Sequence, residues 1–300
     1  MHPGVKGEVI LVRAIAGLVG LALLLMLPEV AALAAVQARP RPSPIYQPGS
    51  VPVGADVSYP QCGHHLPFGQ AFGIVGVNGG RASTFNPCLA KELAWAAHGS
   101  TEDSLQPALS VYLNTGDPGS TYLGQTVPDW PDSGVTPLGP CLPTGLFGHL
   151  PGLGQTSAGC AYLYGYQRAE ADLAWLSAAA SRAQIGERIR SVPVWLDVET
   201  SNTWQASPEL NLVDLQGMVA ALQAAGVRRI GAYGIAMEWL EITGGTQDVA
   251  GGSIFALPSW LLGAGSLAQA QSNCQSDPLS GGEVEITQFP LPNVDGDYAC

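Results

Sequence analysis

Short apolar runs recur along the chain from residue 53 onward, and each is four to seven residues long. Runs of this length between turn-forming residues predict strands. A nearly continuous apolar character is typical of parallel strands that are covered on both faces. The predicted strands are 55–58, 73–78, 108–113, 193–199, 229–235, 257–262 and 284–289.

Three stretches between these runs have helical spacing instead. Asn86 followed by Pro87 predicts an N-cap with proline at the first helical position. A second helix is predicted over 161–183. A third is predicted to start at Asn211, with apolar residues three and four positions apart and Gly226 as its C-terminal stop.

Strands that alternate with helices predict an α/β domain, either barrel-like or doubly wound. We expect a TIM-like (β/α) barrel, in a complete, flattened or incomplete form. Residues 117–159 are rich in Gly and Pro and predict a long loop insertion rather than a second domain. Sites in such folds form at the carboxyl ends of the strands. Polar or aromatic residues at or near these ends are Asp56, Asn78, Asn114, Asp197, Glu199, Tyr233, Trp260 and Gln288.

Asp197 and Glu199 close one of the apolar runs, and residues two apart in a strand face the same way. A carboxylate beside a second carboxyl group raises the apparent pKa of the pair, which would keep Glu199 protonated. Such a pair supplies a proton donor and a stabilising anion, the chemistry of glycosidic bond cleavage. Three alternatives remain open for the pair: a solvated strand end, an ion pair with an arginine, and a divalent cation site.

Residues 1–38 are predicted to be a signal peptide, because Lys6 and Arg13 precede an apolar stretch and a string of small residues. An uncleaved signal anchor is the alternative, and it would have to carry Glu29 through lipid. Residues 39–52 contain five prolines and predict an extended linker. The folded domain is predicted over 53–300.

The charge of the chain is strongly acidic, with 12 Lys and Arg residues against 24 Asp and Glu and a net charge of −12. No basic surface is expected, so nucleic acid is excluded as a partner. A phosphate-binding Gly-x-x-x-x-Gly-Lys loop is absent from the sequence, and no cofactor is expected. We expect a monomer that contacts a membrane only through an uncleaved leader.

Six cysteines follow the leader, at positions 62, 88, 141, 160, 274 and 300. An even number in a chain bound for an oxidising compartment predicts three disulfides, with 15 possible connectivities. Nearest-neighbour pairing closes loops of moderate length, each worth about 3 kcal/mol. A metal site is disfavoured, because no Cys-x-x-Cys occurs.

Several short motifs occur in an order that resembles a known family. They are Gly54-Ala55-Asp56-Val57-Ser58, Leu196-Asp197-Val198-Glu199, Tyr233, Pro258-Ser259-Trp260, Thr287-Gln288-Phe289 and Val294-Asp295. Together they resemble the family 25 glycoside hydrolases, the lysozyme-type muramidases, and more closely the secreted actinobacterial proteins with a related glycoside-hydrolase-like domain. The resemblance covers about residues 53–300. The chain departs from the family at Asn78, where an acid or aromatic residue is usual, and at Thr287, where a tryptophan is usual.

The resemblance implies a flattened barrel that hydrolyses the β-1,4 bond between N-acetylmuramic acid and N-acetylglucosamine in peptidoglycan. It implies that Glu199 is the proton donor and that Asp197 assists the acetamido group of the substrate. Asp56 and Asp295 would line the same cleft. Predicted substrate-binding residues are Asn78, Trp204, Tyr233, Trp260 and Gln288, although each aromatic residue could instead pack in the core. A non-catalytic module that binds cell-envelope polysaccharide is the alternative function.

Overall fold

The computed structural model describes residues 44–45, 50–100, 104–142, 157–245 and 253–300, all within the unit Ser43–Cys300. The predicted signal peptide and most of the predicted linker therefore lie outside the described residues. The described residues form twelve strands: β1 (Val53–Val57), β2 (Gly73–Gly76), β3 (Leu109–Asn114), β4 (Thr121–Tyr122), β5 (Gln125–Thr126), β6 (Gly134–Thr136), β7 (Gly139–Cys141), β8 (Val194–Asp197), β9 (Ile230–Gly234), β10 (Ser259–Leu261), β11 (Val284–Leu291) and β12 (Val294–Ala299). The α-helices of the described residues are α1 (Leu89–Ala96), α2 (Ala158–Arg182), α3 (Pro208–Ala224), α4 (Ala236–Thr243) and α5 (Leu267–Asn273).

Eight of the strands close into a barrel in the order β1, β12, β11, β10, β9, β8, β3, β2. Neighbouring strands are parallel except at β12, which is antiparallel to both β1 and β11. All seven predicted strands are in the barrel, so an α/β barrel-like architecture is confirmed.

The alternation of strands and helices is not regular around this barrel. Between β1 and β2, where every residue is described, the chain forms a 3-10 turn at Tyr59–Gln61 in place of an α-helix. Strand β12 follows β11 directly as a hairpin and was not predicted. Its sequence, Val-Asp-Gly-Asp-Tyr-Ala, contains two acids and lacks the apolar run that identified the other strands.

Buried side chains of the strands form two clusters on opposite faces, as the alternation of side chains requires. One face packs against the helices, where Leu196, Leu215 and Met218 are fully buried. The other face fills the barrel with aromatic rings centred on Trp260. Its ring centroid lies 4.2 Å from that of Tyr233 and 6.1 Å from that of Trp195. The barrel therefore has an aromatic interior that can form the floor of a site at either end.

Helices α2 and α3 pack closely against each other. Glycines permit the contact, because a Cβ atom on Gly165 would collide with the backbone of Asp214, and one on Gly217 with the backbone of Tyr162. The helix predicted from Asn211 starts at Pro208, where Ser207 is the N-cap and its side chain accepts a hydrogen bond from the amide of Leu210.

Helix α1 also starts later than its capping motif predicted. The prediction placed the N-cap at Asn86, whereas the cap is Cys88 and the helix begins at Leu89. Asn86 instead accepts a hydrogen bond from the amide of Cys88 through Oδ1, at 2.9 Å. The asparagine thus shapes the turn that leads into the helix.

The predicted insertion carries two small hairpins, β4 with β5 and β6 with β7, and its residues 143–156 are outside the described part. Nearest-neighbour pairing of the cysteines is confirmed: the disulfides join Cys62 to Cys88, Cys141 to Cys160, and Cys274 to Cys300. Among the described helices, each is too short or too polar to span a lipid bilayer.

Candidate active site

Four predicted acids meet at one end of the barrel. Asp56 lies in β1, Asp197 is the last residue of β8, and Glu199 follows two residues later. Asp295 pairs with Asp56 across the β1–β12 contact. Because β12 runs opposite to its neighbours, its first residues lie at the carboxyl ends of the parallel strands. The four carboxyl groups line one cavity of about 170 Å³.

Three of the predicted substrate-binding residues line the same cavity: Tyr233, Trp260 and Gln288. Trp260 is 1% exposed and Tyr233 is 9% exposed, so their rings form the floor of the cavity rather than its rim. Tyr233 donates a hydrogen bond from its hydroxyl to Oε1 of Gln288, at 3.1 Å. The structure thus brings together seven of the nine residues predicted for the site.

Asn78 and Trp204 do not line this cavity. Asn78 is buried and donates from Nδ2 to Oδ1 of Asp172, at 2.8 Å, while its own Oδ1 accepts from the amide of Asn114. Trp204 donates from Nε1 to the carbonyl of Glu199, at 2.8 Å, and lines separate cavities. Both contacts support the loops of the site from outside the cavity, and direct binding of substrate by either residue stays a prediction.

The carboxyl groups of Asp197 and Glu199 are hydrogen-bonded to each other. Asp197 is 3% exposed and also accepts a hydrogen bond from Nδ2 of Asn114. Burial, followed by the charge of Glu199, raises the pKa of Asp197 well above its ordinary value. Burial also raises the pKa of the more exposed Glu199, whereas the hydrogen bond from Asp197 lowers it.

The pair therefore holds a proton that the two carboxyl groups share. The sequence predicted that this proton stays on Glu199, whereas the deeper burial of Asp197 favours the proton on Asp197. Asn202 supports the same arrangement, since its Nδ2 donates to the backbone carbonyl of Asp197 at 3.0 Å. Asn114 was recognised in the sequence only as a polar strand end, and Asn202 carried no signal at all.

A second carboxyl pair, formed by Asp56 and Asp297, lies beside the pair of Asp197 and Glu199. Burial and the charge of Asp295 raise the pKa of Asp56 to about 7, against a smaller opposite effect of the hydrogen bond that Nε2 of Gln288 donates at 3.0 Å. Asp297 is completely buried, lies close to Asp56, and accepts a hydrogen bond from Nε1 of Trp260 at 2.9 Å. Sequence reasoning missed Asp297, although it stands two residues after Asp295, the same spacing as in the Asp197 and Glu199 pair.

Cations do not neutralise these acids in the described part of the chain. The ion pairs found there join Arg168 to Asp129 and Arg229 to Glu285, both outside the cavity. The described residues also contain no group of three or more side chains placed to hold a metal ion. The carboxyl groups are therefore kept together by shared protons and neutral donors.

This arrangement has the parts that cleavage of a glycosidic bond requires. A protonated carboxyl group next to a carboxylate can donate a proton and then stabilise a positive centre. Aromatic rings on the floor offer a face for a sugar ring. The cavity opens to solvent at Asp295, which is exposed.

A family model described as "Lysozyme-like protein 1" matches residues 177–275. The matched segment is about a third of the chain and contains Asp197, Glu199, Tyr233 and Trp260. Asp56 and Asp295 lie outside it. No curated protein and no solved structure matches the chain. The match supports a lysozyme-like relationship for the segment that carries the first carboxyl pair.

Proposed function

We propose that the chain is a secreted glycoside hydrolase that cleaves the β-1,4 bond of peptidoglycan, on an incomplete TIM-like barrel related to the family 25 and actinobacterial glycoside-hydrolase-like domains. One observation carries the proposal: Asp56, Asp197, Glu199 and Asp295 meet in a single cavity over an aromatic floor. The lysozyme-like match supports the same class of substrate. The leader, 1–38, would direct export, and three disulfides are consistent with an extracellular protein.

The two residues of the first pair have different roles in this proposal. Glu199 is the more exposed of the two and can reach a glycosidic oxygen, so it donates the proton. Asp197 is held by Asn114 and Asn202, and as a carboxylate it assists the acetamido group of the sugar. The shared proton reaches the donor through the hydrogen bond between the two carboxyl groups.

The remaining residues position the sugar. Asp56 and Asp295 flank the reacting centre, and Gln288 is held between Tyr233 and Asp56 by two hydrogen bonds. Trp260 lies below them as an apolar surface for the sugar ring. No cofactor or second subunit enters the proposed reaction.

A non-catalytic module that binds envelope polysaccharide is the second candidate. The size of the cavity favours it, since about 170 Å³ is below the 300 Å³ at which ligand pockets typically begin. A binding module would need only the mouth of the cavity and the surrounding surface. Catalysis requires that a sugar ring enters the cavity itself.

Release of reducing ends from purified peptidoglycan separates the two candidates. The mature domain should release them, Glu199→Gln should release at least about a hundredfold less, and Glu170→Gln, at an exposed position of α2, should match the unmodified chain. Equal and negligible release by all three chains, with retained binding to cell-wall sacculi, would establish the binding module instead.

A further inference from the structure

A second and larger cavity, of about 390 Å³, lies at the same end of the barrel. Its walls come from the loop after β2, the loop after β3, the β4–β5 hairpin and the loop after β8. The hairpin belongs to the predicted insertion, so this cavity exists because of the segment that interrupts the barrel. The volume falls within the range of about 300 to 1,000 Å³ that is usual for small-molecule sites.

Two residues connect the second cavity to the acidic one. Thr115 and Asn202 line the second cavity and also hydrogen-bond to Asp197, from Oγ1 and Nδ2 respectively. The second cavity is therefore lined in part by residues that hold the backbone of Asp197, which itself lines the acidic cavity.

The lining of the second cavity is polar but carries no carboxyl group, in a chain whose net charge is −12. Hydroxyl and amide side chains line it together with two aromatic rings, those of Tyr122 and Tyr164. Tyr122 is 45% exposed, so its ring is available for stacking. Hydroxyl and amide groups combined with an exposed ring suit a sugar, which offers hydroxyl groups at its rim and an apolar face.

Arg81 supplies the charge of this cavity. It lines the wall, is exposed, and forms no ion pair with any side chain in the described ranges. An arginine near a carboxylate normally forms a charge-assisted hydrogen bond, often with two parallel contacts. A free arginine in a wall without carboxylates therefore favours a ligand that brings its own carboxylate.

We propose that the second cavity binds a carboxylate-bearing sugar unit, with Arg81 on the carboxylate and Tyr122 on the sugar ring. The inference goes beyond the proposed function, since it names an acidic unit that the second cavity binds outside the acidic cavity. The proposal requires that the ligand of the chain is a glycan, but it does not require that the chain cleaves this glycan. N-acetylmuramic acid without a stem peptide and glucuronic acid share this free carboxylate, and the experiment has an arm for each.

Binding is measured by calorimetric titration of the full mature domain carrying Glu199→Gln, so that turnover is not required. The probes are N-acetylmuramic acid and glucuronic acid, compared with their neutral counterparts N-acetylglucosamine and glucose. At least one acidic sugar should bind more tightly than its neutral counterpart, and binding should weaken as salt rises. A preference between the acidic sugars identifies the source of the unit.

Three substitutions in that background locate the site. Arg81→Gln should weaken the acidic sugar about threefold to tenfold and leave the neutral sugar unchanged. Tyr122→Ala should weaken both sugars by a similar factor, about threefold to tenfold. The matched control is Arg182→Gln, an exposed arginine in the last turn of α2, which should change neither.

Equal binding of acidic and neutral sugars, or no effect of Arg81→Gln, overturns the assignment. Failure of the hydrolase proposal looks different, because it would appear as absence of reducing-end release by the unmodified chain. Retained, Arg81-dependent binding in that case leaves the second cavity as a binding site for an acidic sugar.

Discussion

The carboxyl group of Asp297 is buried close to that of Asp56, beside the floor of the acidic cavity. Two neighbouring buried carboxyl groups repel each other when both are ionised, so one of them keeps a proton. Burial, followed by the charge of Asp56, raises the pKa of Asp297 well above the ordinary value. This part of the cavity is therefore protonated in acid and gains negative charge as the pH passes about 7, the pKa of Asp56.

Asp295→Asn should lower the pKa of Asp56 below about 7, because the charge of Asp295 raises that pKa. An asparagine keeps the shape of Asp295 and removes its negative charge. The titration of Asp56 can be followed by carbon NMR of its carboxyl group. Asp277→Asn, at an exposed position, is the control and should leave the titration unchanged. An unaltered midpoint in Asp295→Asn would show that the charge of Asp295 does not act on Asp56.

The free energy of unfolding should fall as the pH rises from about 4 to about 7. Asp56 and Asp117 have ordinary pKa values of 3.8, and burial raises them to about 7 and about 6 in the folded chain. Between these values the folded chain binds more protons than the unfolded chain, so raising the pH favours unfolding. Melting temperatures measured from pH 4.5 to 8 should therefore decrease steadily. A melting temperature that increases over this range would contradict the raised pKa values.

Asp214→Asn should stabilise the chain at pH 8 and have little effect at pH 5. Neither carboxyl oxygen of Asp214 has a hydrogen-bond partner in the described residues, and burial, then Asp117, raises its pKa. At pH 8 the amide removes the cost of an ionised or strongly shifted buried acid, worth about 1–3 kcal/mol. Thermal unfolding at both pH values tests this, and equal shifts at the two would refute an electrostatic origin.

Gly217→Ala should destabilise the chain by about 1–3 kcal/mol or more. A methyl group at this position would enter the space of the Tyr162 backbone, where α2 and α3 meet. Gly186→Ala is a suitable control, because the nearest atom to its new methyl group is 4.0 Å away. Urea denaturation of both variants measures the difference. Similar urea midpoints for the two variants would mean that α2 and α3 move apart to accommodate the methyl group without loss of stability.

Asp197→Asn should lower kcat by about a hundredfold and leave KM within a small factor. The amide preserves the hydrogen bond to Glu199 and removes the anion that assists the reaction. Kinetics on a soluble peptidoglycan fragment give both constants, with Glu170→Gln as the control. A larger change in KM than in kcat would assign Asp197 to binding.

The sequence predicted the barrel well where a strand is a continuous apolar run, as in 193–199, because burial on both faces leaves that pattern. It failed at β12, where Asp295 and Asp297 occupy positions that face the barrel. In the sequence alone, acids that face the barrel interior have the pattern of loop residues, because their partners lie elsewhere in the chain. Trp260 holds Asp297 in place from a strand 37 residues away in the sequence.

Prediction of the candidate site from the sequence had the same limit, since contacts between distant residues could not be foreseen. Asp197 and Glu199 could be placed from local spacing, because the direction of neighbouring side chains in a strand is fixed. The environment of Asn78 could not, because its hydrogen-bond partner Asp172 lies 94 residues away in the sequence. The preference of the shared proton for Asp197 depends on burial, which only the folded barrel determines.

The antiparallel direction of β12 also has a consequence for the time at which the site forms. Among the described strands this one is synthesised last, and it carries Asp295 and Asp297 and joins β1 to β11. A nascent chain without β12 has an open sheet, and Asp297 is missing from the second carboxyl pair. Assembly of the acidic cavity is therefore postponed until the chain has been synthesised through β12.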